Sequence, residues 1–103
     1  MSIQDKIKQQ VTENTVLLYM KGNAELPMCG FSSRAVNILK SCGATFVTVD
    51  VLQDEEIRNG IKVYSNWPTI PQLYVQGEFI GGSDIMTEMY ETGELQELIN
   101  STK

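Results

Sequence analysis

The segment from Thr15 to Val51 most constrains what this chain can fold into. TVLLYMK, Thr15 to Lys21, is a short apolar run of β-favouring residues, and TFVTVDV, Thr45 to Val51, alternates apolar and polar positions. The first reads as a buried strand and the second as its neighbour. Between them a loop runs from Gly22 to Met28, with Pro27 near its end. Ala35, Val36, Leu39 and Cys42 then mark one face of a helix that Gly43 closes. A strand, a helix and a second strand joined this closely argue for a right-handed parallel unit.

The remaining sequence surrounds that unit. Ser2 and Asp5 form a plausible capping pair, and Ile3, Ile7 and Val11 repeat every four residues, which predicts a helix near 3 to 13. Asp54 starts another helix with Ile57 and Ile61 on one face, and Gly60 weakens it. Gln72 to Gln76 and Glu78 to Gly81 flank Gly77, which supplies the positive φ of a hairpin turn. Ser83 is expected to N-cap a last helical region that breaks at Gly93. The order αβαβαββα predicts an α/β fold, a small mixed four-stranded sheet flanked by helices on both faces. With 103 residues and no repeat, linker or low-complexity segment, residues 1–103 read as one domain.

Composition narrows the function. MSIQDKIKQQVTEN alternates apolar and charged residues at helical spacing, so it reads as neither signal peptide nor membrane span, and the expected location is the cytoplasm. Two cysteines there are expected to be reduced thiols. Net charge is −5, and no basic residue occurs between Val63 and Thr102. Nucleic acid is therefore a poor partner. Lys21, Arg34, Lys40, Arg58 and Lys62 all precede that stretch and can still form a local pocket for a small anion.

Cys29 stands where the loop becomes a helix. Unpaired N–H groups and the positive end of the helix dipole favour its thiolate there, and Lys21 can add a cation. Cys42, on the apolar stripe before Gly43, reads as a buried thiol. If the thirteen residues from Cys29 to Cys42 are mostly helical, the two sulfurs lie on the order of 20 Å apart. That forbids a disulfide and a shared metal ion. With no histidine, one chain cannot build a zinc site or a four-thiolate cluster site. A metal site needs two chains and further thiolates, and redox chemistry needs a soluble thiol to resolve whatever Cys29 bonds to. Both routes lead to a small-molecule thiol.

KGNAELPMCGFS and WPTIPQLYVQGEFIGGSD, in this order and spacing, resemble the monothiol glutaredoxins of the Cys-Gly-Phe-Ser class, over nearly the whole chain. The resemblance implies a thioredoxin-like fold that binds glutathione. It also implies a [2Fe-2S] cluster bridged in a homodimer, with one cysteine and one glutathione from each subunit. Carried over by residue, Cys29 would be the metal ligand and, in an oxidoreductase, the catalytic thiol. Lys21 and Arg58 would pair with the glycyl carboxylate of glutathione. Ile70, ahead of a cis Pro71, would meet its cysteinyl part through the backbone. Gly82, Ser83 and Asp84 would take its γ-glutamyl end. These positions also have plainer readings: surface charge for Lys21 and Arg58, a rigid turn for Pro71, a helix cap for Gly82 to Asp84, and packing for Phe31 and Trp67.

Ser32 stands where dithiol relatives carry a second cysteine, so rapid reduction of protein disulfides is disfavoured. Many relatives carry cysteine where this chain has Ser83, so no second thiol acts there. The function so implied is a cluster carrier serving apo iron-sulfur proteins. The alternatives are a glutathione-dependent oxidoreductase acting through Cys29, and a regulatory module paired with a BolA-type protein that supplies a histidine.

Overall fold

The computed structural model describes residues 2–103. Helix α1 (Ile3–Glu13) leads into strand β1 (Val16–Met20), followed by α2 (Gly30–Ser41), β2 (Val47–Asp50) and α3 (Glu55–Ser65). The hairpin strands β3 (Gln72–Val75) and β4 (Glu78–Gly81) come next, and then α4 (Ser83–Thr92) and α5 (Glu94–Ser101). The strands form one sheet in the order β2-β1-β3-β4. β1 pairs parallel with β2, Leu18 opposite Thr48, and antiparallel with β3, Leu18 opposite Leu73.

Alternation along the central strands divides the core in two. Val16, Leu18 and Met20 of β1, with Leu73 and Val75 of β3, face a layer formed by Ala35, Val36 and Leu39 of α2, Met86 of α4, and Leu95 and Ile99 of α5. Leu17 and Tyr19, with Tyr74, face Ile7 and Val11 of α1 and Ile57 and Ile61 of α3. Helices therefore cover both faces of a mixed sheet, as expected from the element order.

The helix starts follow from their caps. The Ser2 hydroxyl accepts from the Asp5 N–H at 3.2 Å, and Asp54 Oδ1 accepts from the N–H groups of Glu56 and Ile57 at 3.0 and 3.2 Å. Gly60 does more than weaken α3. A Cβ there would lie 3.0 Å from Ile3 Cγ1 and 3.1 Å from Ile7 Cδ1, so glycine lets α1 and α3 approach closely.

Three expectations are corrected. Ser83 is not the cap of the last helical region: Gly82 takes that position without a side-chain bond, and Ser83 is the first residue of α4, itself buried. The region does break at Gly93, left-handed at φ 85°, as its sequence predicts, giving two helices. In the hairpin both turn residues, Gln76 (φ 52°) and Gly77 (φ 83°), are left-handed, because a two-residue turn that follows the strand twist requires it. β1, β2 and β3 are also one or two residues shorter at one or both ends than the runs suggested, whereas β4 has the expected bounds.

Candidate functional site

The site lies where β1 ends, α2 and α4 begin, and the chain enters β3. At Lys21 the backbone turns sharply. Gly22 has φ 86°, and a Cβ there would lie 2.4 Å from the Leu26 carbonyl oxygen, so this position admits only glycine without displacement. Asp50, at the end of β2, accepts from the Gly22 N–H at 3.0 Å and from the Leu52 N–H at 2.9 Å. The loop then folds on itself. Asn23 Oδ1 accepts from the N–H groups of Glu25 and Leu26 at 3.0 and 2.8 Å, Gly22 bridges to Pro27, and the Met28 N–H donates to the Lys21 carbonyl at 2.9 Å. Leu26, Met28 and Phe31 are left exposed around the cysteine.

Cys29 is the N-cap of α2, with its half-buried sulfur accepting from the Ser32 N–H at 3.4 Å and lying 3.5 Å from the Ser32 hydroxyl. Ser32 is fully buried, and its hydroxyl accepts from the Lys21 N–H at 3.1 Å. Burial works against ionisation of Cys29. The Ser32 hydroxyl, the N–H groups of Ser32 and Phe31, and the Lys21 charge together outweigh it and hold the thiol below its ordinary value. Cys42 caps the other end of the same helix, where burial pushes its thiol up and Lys103 offsets this only in part. Both cysteines are free.

Next to the cysteine is a cleft of about 380 Å³. Lys21, Arg58, Ile70, Pro71, Gly82, Ser83 and Asp84 all line it, so every position singled out in the sequence except Cys29 meets in one concavity. Cys29 lines an adjoining hollow of about 500 Å³ with Gly30 and Arg34, and Lys21 and Phe31 belong to both spaces. The sulfur thus stands at the cleft's edge. The Ile70–Pro71 peptide is cis. Gly82 lies against that loop, since a Cβ on it would fall 3.2 Å from the Pro71 carbonyl oxygen.

Lys62, one of the cations that the sequence offered for an anion pocket but without a place in the site, also lines the cleft. It follows Arg58 by four residues on α3, and that spacing puts the two on one helical face. Three cations, Lys21, Arg58 and Lys62, therefore converge on a space with a single carboxylate, Asp84, near the N-terminus of α4. Such a space suits a small anion with one cationic group, since N–H groups and dipole at a helix start add to the positive field. Among the described residues no group of three or more His, Cys, Asp or Glu side chains could hold a metal ion by itself. No helix among them is long and apolar enough to cross a membrane.

A mixed four-stranded sheet between two helical layers, with a cysteine capping α2 and a cis proline leading into β3, defines a protein of the thioredoxin-like fold. The glutaredoxin family model matches residues 16–80, and the chain belongs to the glutaredoxin family. It is similar to an uncharacterized monothiol glutaredoxin, ycf64-like, of Synechocystis sp., with 61% identity over 91% of this chain and 88% of that one. It is likewise similar to glutaredoxin 4 of Escherichia coli strain K12, with 55% identity over 95% and 85% of the two chains. The solution structure of reduced poplar apo GrxS14 superposes with a TM-score of 0.83 at 48% identity, covering 96% of this chain and 91% of that one.

Proposed function

We propose that the protein is a glutathione-dependent carrier of a [2Fe-2S] cluster. Two copies of the chain hold the cluster between them through one Cys29 thiolate and one glutathione thiolate each, and pass it to apo iron-sulfur proteins. The observation that carries this reading is a lone accessible thiol, held below its ordinary value, at the edge of a cationic cleft. One chain supplies one ligand, so the cargo requires a second copy and a second kind of thiol. The same half-site suits a BolA-type partner, because this chain has no histidine and would leave that ligand to the partner.

Glutathione matches the cleft in charge, with two carboxylates and one ammonium group against three cations and Asp84. Lys21, Arg58 and Lys62 hold the glycyl carboxylate, and the Ile70 backbone beside Pro71 pairs with the cysteinyl residue. The start of α4 at Gly82 and Ser83 takes the γ-glutamyl carboxylate while Asp84 takes its ammonium group. Ser83 contributes backbone and hydroxyl, with no second thiol.

The low-lying thiol of Cys29 also favours a second activity. Its thiolate attacks a glutathionylated protein, forming a Cys29–glutathione disulfide and releasing the protein thiolate. A free glutathione thiolate then attacks that disulfide, giving oxidised glutathione and regenerating Cys29. No protein thiol competes, because Ser32 cannot resolve a disulfide and Cys42 is buried at the far end of α2.

Anaerobic reconstitution with iron, sulfide and glutathione, followed by visible absorption, iron counting and light scattering, tests the carrier. The expected product is a dimer that an iron chelator, or removal of glutathione, returns to monomer. Cys29→Ser should lose the cluster and Cys42→Ser should keep it. A cluster retained by Cys29→Ser, or a dimer that survives both treatments, would overturn the assignment.

A further inference from the structure

Gln72 opens β3, is fully buried, and does not line the cleft. Its Nε2 donates to the carbonyls of Trp67 at 3.1 Å and Thr69 at 3.2 Å, and its Oε1 accepts from the Tyr74 hydroxyl at 3.3 Å. Carbonyls only accept and need the amide nitrogen, so the orientation of the side chain is determined by its partners. Both carbonyls belong to the Trp67–Pro71 segment, every residue of which lines the cleft. Packing fixes the far end of that segment, where Ile70 is buried in the α1–α3 core and Pro71 is buried beside it, but hydrogen bonds hold little of the rest. Pro68, Thr69 and Ile70 make no backbone–backbone hydrogen bond among the described residues, and two of its five members are prolines. The Trp67 ring meets Phe79, centroids 6.1 Å apart, and the Trp67 backbone N–H donates to the Lys62 carbonyl and the Ser65 hydroxyl, which anchors the start of the loop alone.

We propose that Gln72 is the positioning residue of the Trp67–Pro71 wall, setting through its two donated bonds the shape of the cleft and thereby its affinity for glutathione. The second half of this statement rests on the glutathione reading above, whereas the first does not. Trp67 is the only tryptophan of the chain, so its fluorescence reports the wall directly, without ligand.

Two variants of similar size separate bonding from volume. Gln72→Met fills the space and removes both donors, leaving two carbonyls unpaired. Acrylamide quenching of Trp67 should rise about two- to fivefold, and glutathione affinity should fall about tenfold at pH 7. Gln72→Glu presents a carboxylate to the same carbonyls once it ionises, which burial delays well above the usual carboxylate range, so at about pH 9 quenching should be raised at least as much. On acidification to pH 5 the buried carboxyl is protonated, regains one donor, and quenching should fall back several-fold, with wild-type protein as the control at each pH. A role in filling space alone gives no such recovery. Unchanged quenching in the Met variant, or no recovery on acidification of the Glu variant, would overturn the proposal. Should Gln72→Met fail to fold, the pH dependence of Gln72→Glu decides. If wild-type protein itself did not bind glutathione, the ligand reading would fall, and Trp67 quenching would still decide the role of Gln72.

Discussion

The Lys21 N–H donates to the Ser32 hydroxyl at 3.1 Å, tying the end of β1 to the first turn of α2 and leaving the hydroxyl proton for the Cys29 sulfur 3.5 Å away. A buried hydroxyl needs an acceptor for its proton, and the sulfur is the one at hand. Ser32 thereby favours the charged form of its neighbour.

Ser32→Ala should therefore move the Cys29 thiol up toward its ordinary value. A hydrogen bond of about 1 kcal/mol corresponds to a roughly fivefold slower alkylation by iodoacetamide below neutral pH, and the Lys21 N–H left unpaired should lower the melting temperature by several degrees. Alkylation rates across a pH series, read by mass spectrometry, check this. An unchanged profile would remove Ser32 from the account of thiolate stability.

Alkali should unfold the protein through groups that do not line the cleft. Burial raises the Cys42 thiol, raises the Tyr74 phenol to about 12, and raises that of Tyr19 further still. A folded-state value above the unfolded one means stability that is complete below the unfolded value and is lost as pH rises through the folded one. For these groups the loss begins near the ordinary thiol and phenol values, roughly 8.5 and 10, and runs past 12 for Tyr74. Urea midpoints should fall steadily from about pH 9 upward. Phenolate absorbance should show Tyr19 and Tyr74 ionising only with unfolding. Full titration of all four tyrosines in folded protein would contradict this.

Lys62→Glu should weaken glutathione binding about three- to tenfold, because it puts a carboxylate beside the anion it is proposed to hold. Lys40→Glu makes the same charge change on an exposed residue outside the cleft and serves as the control. Calorimetric titration of both distinguishes a local contact from loss of net positive charge. Equal effects would remove Lys62 from the binding site.

Gly22→Ala should cost at least about 2 kcal/mol, from a left-handed backbone that a side chain resists and from the approach of the new Cβ to Leu26. Urea denaturation measures the cost, and Cys29 should become less reactive as the loop shifts. Wild-type stability would show that the turn relaxes more readily than its contacts imply.

Much of this was legible in the chain because it was local. The stripe Ile7 and Val11, the cap at Asp54 and the loop-to-helix position of Cys29 are written in neighbouring residues, and the structure has them as read. What was missed depends on contacts across the sequence. Gly60 looked like a flaw in α3 because the reason for it, Ile3 and Ile7, lies more than fifty residues earlier. Gln72 read as an ordinary strand start, since nothing in a local pattern shows which carbonyls a buried amide will meet. Lys62 was legible only as one of several cations available to an anion pocket, although its place four residues after Arg58 puts the two on one face of α3. Ser83 is the better cap in sequence, and only the backbone shows that the helix starts after Gly82.

The loop that closes on itself between Gly22 and Met28 has a kinetic consequence. Its backbone groups are already committed to Asn23, Asp50 and Pro27, so the ordering entropy of this segment is lost when the chain folds rather than when something docks beside Cys29. A molecule arriving at the sulfur meets a rigid collar and has no disordered segment to wait for. Encounters there should be limited by diffusion and orientation, so discrimination between visitors falls to how quickly each one leaves.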